Sequence, residues 1–170
     1  MRDLPRRIES EIPALRRYAR VLVRDPDRAD DLVQDCLERA LSRLRFWRRE
    51  GNLRAWLFTI LHNIHANQVR ARSRRPRTLP LDDEAGGART TSDDPQTRIA
   101  LEQALDALWA LPAEQREVLL LVVVEGLPYR EVSAVLRIPI GTVMSRLARA
   151  RERLRAVMED SQPLHLRRVK

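Results

Sequence analysis

The chain has 170 residues with 32 Lys+Arg, 24 Asp+Glu and a net charge of +8. That length suits one medium domain or two small ones and excludes a large catalytic architecture. Lys170 is the only lysine, so the positive charge is carried by arginine forks that match phosphates and base edges, and a polyanionic partner is the leading expectation.

Hydrophobic residues make up 44% and charged residues 33%, a balance that fits a folded soluble protein. The longest apolar run, Val118 to Val124, is far shorter than the ~20 residues that span a bilayer, so no membrane insertion is expected. The N-terminus carries arginines but no apolar segment of a secretory signal, and the expected compartment is cytoplasmic. A single cysteine, Cys36, excludes an intrachain disulfide and a Cys-rich zinc site.

In chain order the apolar periodicity is helical throughout, and no run alternates at period two for long enough to argue a sheet. Ile8, Ile12, Leu15, Ala19, Leu22 and Val23 predict an amphipathic helix over 8–23, with Pro13 near its start and Asp25-Pro26-Asp27 as its break. Leu32, Val33, Cys36, Leu37, Ala40, Leu41 and Leu44 form the apolar stripe of a second helix, with Asp30, Asp31, Gln34, Asp35 and Glu38 on its other faces. A third, from about Leu53 to Arg74, places Leu57, Ile60, Leu61, Ile64 and Val69 inward.

Residues 78–98 then change character, with Gly86-Gly87, Thr90-Thr91-Ser92 and five acidic against two basic residues, which reads as an acidic linker. Asp94-Pro95 predicts a capped helix start, followed by helices at Ile99 to Trp109, 113–125, Tyr129 to Leu136 and Gly141 to Met158. The expectation is an all-α protein of two small helical domains, 1–77 and 99–160, joined by the flexible linker and followed by a tail at 161–170.

Short helix, four-residue turn and longer helix give the outline of a helix-turn-helix at 129–158. Val143, Leu147, Ala150 and Leu154 fall within about 60° of one another as a buried seam. Thr142, Ser145, Ala148, Arg149 and Glu152 lie opposite, flanked by Met144, Arg146, Arg151 and Arg153. Small residues let the backbone approach a groove while arginines reach guanine edges and phosphates; the plainer alternative is a solvated, arginine-rich face. In the first lobe Phe46, Trp47, Trp56 and Phe58 interleave with Arg45, Arg48, Arg49 and Arg54, a composition suited to unpaired bases stacked on rings. Trp56 and Phe58 are each expected to be at least partly buried.

These motifs carry a resemblance. The run EQREVLLLVVVEGLPYREVSAVLRIPIGTVMSRLARARERLR resembles region 4 of the sigma-70 family in its short, extracytoplasmic-function (ECF) form. DRADDLVQDCLERALSRL resembles region 2.2, and FWRREGNLRAWLFTILHNIHANQVRARSRR resembles regions 2.3 and 2.4. The resemblance implies an ECF sigma factor with core RNA polymerase and promoter DNA as partners. By position it puts Thr142, Met144, Ser145, Ala148 and Arg149 against the bases of a minus-35 element and Arg130, Arg146 and Arg151 against its backbone; Met144 departs from the basic residue that members can have there. It implies a minus-10 base pocket in the loop from Arg48 and Arg49 through Asn52 to Arg54, with Trp56 beside it, Asn63 reaching in and Asn67, Arg70 and Arg74 continuing along the melted strand. Asp30, Asp31, Gln34, Asp35 and Glu38 would dock on polymerase, and an anti-sigma factor that occludes this face is implied as a further partner.

His62 and His65 lack a third ligand at supporting spacing, Cys36 reads as a buried small hydrophobe, and no phosphate loop, nucleophile elbow or paired carboxylates argue for an enzyme, so no metal or cofactor is expected. A stand-alone helix-turn-helix regulator would explain 129–154 but not the acidic helix or the aromatic cluster. A helical adaptor that sequesters another protein would bind without regard to DNA.

Overall fold

A computed structural model describes residues 4–44, 47, 51–74 and 95–160, and all regular structure among them is helical. The N-terminal lobe is a three-helix bundle of α1 (Leu4–Val23), α2 (Pro26–Arg43) and α3 (Leu53–Ser73). The C-terminal lobe holds α4 (Pro95–Trp109), α5 (Ala113–Leu119) continued by a π-helical turn (Leu120–Val124), α6 (Tyr129–Leu136) and α7 (Ile140–Asp160). Asp94, most of the linker and the tail lie outside the described residues.

Local chemistry sets the boundaries. Asp25 caps α2 by accepting from the Asp27 and Arg28 N–H groups, with Pro26 in the first turn, and Asn52 caps α3 by accepting from Arg54 and Ala55. Helix α1 begins earlier than the sequence predicts, so Pro13 falls mid-helix; it stands on the exposed side, where the loss of one backbone bond is best tolerated.

The bundle core is Leu15, Tyr18, Leu32, Cys36, Leu57, Phe58 and Leu61, all nearly sealed from solvent, with the Tyr18 ring edge-on to Phe58 at 5.3 Å. Two expected inward residues are corrected: Leu41 and Val69 are about half exposed. At 100° per residue, Leu41 stands roughly 120° from the centre of the buried face of α2, and Val69 roughly 120° from that of α3.

In the C-terminal lobe the seam of α7 is as expected, with Val143, Leu147 and Ala150 buried and Leu154 half-buried against Val118, Leu121, Val132 and Val135. The helix expected over 113–125 changes pitch at Leu120, where the Glu125 N–H reaches back five residues to the Leu120 carbonyl at 2.9 Å. Gly126 then turns the chain at φ +68. The turn before α7 is made by Arg137 in the left-handed region (φ 55), closed by Ile138 N–H to Ser133 O and by Ser133 Oγ–H to Ile138 O.

The lobes are not strung apart. One hydrophobic cluster contains core residues of both, and α3 packs on α6 while α1 touches α5.

Candidate nucleic-acid interface

Three exposed faces emerge from these helices. On α2, Asp31, Gln34, Asp35 and Glu38 are exposed and lie opposite the buried stripe, Gln34 donating to Glu38 at 3.1 Å. Asp30 pairs with Arg16 of α1 at 3.2 Å with both side chains about half exposed, so the pair is weakly held. Beside this face a cleft of about 400 Å³ is lined by Asp35, Glu38, Arg39, Ser42 and Ile64.

On α3, Trp56, Asn63, Asn67, Arg70 and Arg74 fall within about 60° of one another. Asn67, Arg70 and Arg74 are exposed and Trp56 and Asn63 half-buried, making one stripe of ring, amides and guanidinium groups along the helix. Trp47, nearly buried, backs Trp56 at 6.2 Å between ring centres, and the Arg7 guanidinium lies over Trp47. Phe58 is fully buried, as expected. Arg48 and Arg49 lie outside the described residues.

The remaining two residues assigned to this pocket part company with the stripe. Arg54 stands nearly opposite it on α3, roughly 170° round the helix. It donates to Glu11 of α1 at 2.5 Å and to Glu125 of the C-terminal lobe, and its guanidinium lies over Phe58. Asn52, besides capping α3, donates to Glu131 of α6 at 2.6 Å. In this arrangement both are committed to protein contacts.

On α7, Met144, Ser145, Ala148, Arg149 and Arg151 are exposed and Thr142 is half-buried, so the residues assigned to bases stand free together. Arg130, at the start of α6, is exposed beside them in the sequence of the motif. Arg146 is half-buried and paired with Glu114 at 2.6 Å; Glu114 is mostly exposed, so this pair can exchange for a phosphate.

What the sequence did not reveal is a polar seam between the lobes. Glu125, its side chain 1% exposed, is the centre: Arg17 of α1 forks onto it through Nε (3.2 Å) and Nη2 (3.1 Å), and Arg54 reaches it from α3. Next to this, His62 of α3 lies 3.5 Å from the Tyr18 hydroxyl and 3.8 Å from the Glu117 carboxylate of α5. Burial, reinforced by His65, Arg137 and Arg70, pushes His62 down to about 4, while burial pushes Glu117 up to about 7 against the pull of Arg116 and Arg146. Tyr18 is held well above its ordinary value, first by burial and then by Glu117. At the far end the guanidinium groups of Arg24, just past the end of α1, and of Arg116 lie over the Trp109 ring at 4.6 Å and 4.0 Å. Burial pushes the Cys36 thiol up to about 12, which makes it chemically quiet. Among the described residues no cluster of His, Cys, Asp and Glu is arranged to hold a metal, and no helix is long and apolar enough to cross a membrane.

Comparison with known proteins finds family similarity in both lobes. Residues 8–62 match the Sigma2 domain of PhyR, and residues 101–154 match Sigma-70, region 4. The ECF RNA polymerase sigma factor EcfG of Rhodopseudomonas palustris is 40% identical over 154 residues, covering 89% of this chain and 82% of that protein. The ECF RNA polymerase sigma-E factor of Escherichia coli K12 is 31% identical, covering 79% and 74%. Among solved structures, the sigma factor RpoE of Bartonella quintana, crystallised with the anti-sigma factor NepR, superposes with a TM-score of 0.75 at 31% identity, covering 95% of this chain and all of that one. CnrH in complex with the cytosolic domain of CnrY superposes at 0.68 with 26% identity, covering 95% and 90%. Two sigma-type helical lobes in family order define a transcription initiation factor. The chain belongs to the ECF RNA polymerase sigma factors.

Proposed function

We propose that this chain binds core RNA polymerase through the acidic face of α2, reads a minus-35 element with α7, and captures the melted minus-10 strand along α3. The observation that carries the reading is the adjacency, on two packed helices, of an exposed acidic face and the stripe of Trp56, Asn63, Asn67, Arg70 and Arg74. Acidic side chains on a chain of net +8 suit a basic protein surface, since opposite potentials steer docking and fix register. Rings and amides suit unstacked bases, with arginines on the backbone. Extruding a base costs a few kcal/mol, which stacking and hydrogen bonds offset only for the preferred base.

The partner of a solved relative extends the reading: RpoE was crystallised with the anti-sigma factor NepR, so an anti-sigma factor is proposed for this chain as well. Transcription in the cytoplasm is the setting this implies. In the pocket itself the proposal now rests on Trp56 and Asn63 with Arg48 and Arg49 from the loop. Asn52 and Arg54 join only when their contacts to Glu131 and Glu125 are released.

The test is run-off transcription with purified core polymerase on a library of randomised promoter DNA, comparing the intact chain with an Asp31→Arg, Asp35→Arg variant. Transcripts from one defined pair of elements, lost in the variant, are expected. Salt-sensitive duplex binding with no transcript and no core binding would favour the stand-alone regulator instead.

A further inference from the structure

The N-terminal half of α7 exposes more apolar surface than a solvated helix needs. Met144 is 53% exposed and Ile140, one turn before it, 42%, while Ala148, one turn after, is exposed as well. A single exposed methionine is ordinary and calls for no account. These three stand at i, i+4 and i+8, where the helical repeat sets them within about 80° of one another along one edge. They border the buried seam of Val143, Leu147 and Ala150 without joining it.

The surroundings of the row indicate what covers it. Arg149 lies roughly 140° round the helix from Met144, so the exposed face has a polar edge at Thr142 and Arg149 and an apolar edge at Ile140, Met144 and Ala148. Between the edges stands Ser145, small, its hydroxyl donating back to the Thr142 carbonyl at 3.1 Å. Arg151 flanks the apolar edge and Arg146 the polar one, so cations border the face on both sides. An apolar protein patch has no need of guanidinium groups on both borders. The major groove has phosphates along both walls and, on its floor, one apolar group, the C5-methyl of thymine. One turn beyond Ala148 the row ends at the carboxylate of Glu152, which confines it to the half of the helix that enters a groove.

We propose that Met144, with Ile140 and Ala148 on either side, is a thymine reader: the row takes the C5-methyl groups of neighbouring thymines in the minus-35 element, while Arg149 serves the opposite edge. The proposal rests on the reading of α7 as the minus-35 helix. Ile140 and Met144 are about 6 Å apart along the helix axis, less than two base steps of about 3.4 Å, so the row covers adjoining bases. Methionine suits the task because its unbranched chain follows the methyl groups as the groove changes shape, and it has no donor to leave unpaired when water is excluded.

The test uses holoenzyme assembled from the full chain and core polymerase, with promoter duplexes carrying the minus-35 element that the run-off selection recovers. Each thymine of the element is replaced in turn by deoxyuridine, which removes only the methyl group. Competition binding then compares wild type, Met144→Ala and Met144→Leu, with circular dichroism as the check on helicity. Burial of one methyl group corresponds to roughly a fourfold change in affinity. A loss of that size is expected at one or two neighbouring thymines with wild type and with Met144→Leu, and one of these losses is expected to vanish in Met144→Ala. Equal affinity for thymine and deoxyuridine throughout overturns the proposal, and so does a selected element without thymine. If Met144→Ala assembles poorly with core polymerase yet keeps the full deoxyuridine penalty, the row is a protein contact and the proposal falls. Wild-type holoenzyme that selects no minus-35 element at all removes the reading of α7 and the proposal together, a result distinct from selection that ignores the methyl group.

Discussion

His62 and Glu117 titrate in opposite senses, and the consequence is a cancellation. Glu117, pushed up to about 7, favours the folded state at low pH, and that advantage disappears as pH rises from the ordinary carboxylate range through 7. His62, pushed down to about 4, contributes stability above the ordinary imidazole value that is lost as pH falls toward 4. Between about pH 4.5 and 6.5 the unfolded chain has the proton on the imidazole and the folded chain has it on the carboxyl, so the pair contributes almost no slope. The groups facing His62 are Tyr18 from α1, Glu117 from α5, His65 and Arg70 on its own helix, and Arg137 at the end of α6. Glu117→Gln should therefore make stability fall on acidification relative to wild type, and His62→Gln should make it fall on going from pH 5 to 7. Urea midpoints of the three proteins at pH 4.5, 5.5 and 7 check this; parallel profiles in all three would refute the opposed pair.

At the scale of the element, α7 separates two kinds of contact that a mutation can tell apart. Arg149 stands in the middle of the exposed face with Ser145 and Ala148 around it, whereas Arg151 lies on the flank. Arg149→Ala is expected to cost about 1–3 kcal/mol of discrimination at one position of the minus-35 element. Arg151→Ala should weaken all sequences alike and reduce the salt slope by about one. Electrophoretic mobility shifts at several salt concentrations, with the element scanned base by base, read both.

The helices themselves were legible because their punctuation is chemical: Asp25-Pro26 before α2, Leu111-Pro112 before α5 and Pro128 before α6 all mark starts where they occur. The seam of α7 was equally readable from spacing. Leu41 and Val69 were misplaced because apolar character at the edge of a stripe is not burial. The pitch change at Leu120 was invisible, since an unbroken run of leucine and valine has no polar residue to mark a phase. Arg54 was assigned to DNA for its neighbours in sequence, while its partners Glu11 and Glu125 lie 43 and 71 residues away. No local pattern records such pairings.

For the whole molecule, the shared hydrophobic cluster and the polar seam both couple the lobes on unfolding. Each lobe alone is near the lower size limit for an independent core, so lobes that share buried surface should melt together. A single calorimetric transition is expected for wild type. In Glu125→Ala the transition should broaden or split as the smaller lobe loses its support, and a wild-type profile in that variant would show that the apolar contact alone couples them.

The π-helical turn at Leu120 to Val124 gives this design an unusual vulnerability in heredity. Such a turn is an α-helix with one residue too many, and the surplus rotates whatever follows it by about 100°. Deleting a single codon within the five would restore ordinary pitch and swing Glu125 off Arg17 and Arg54, while the apolar character of the run hardly changed. One in-frame deletion would thus part a buried carboxylate from both of its arginine partners, a change that a comparison of substitutions would miss and only a gap in an alignment would show.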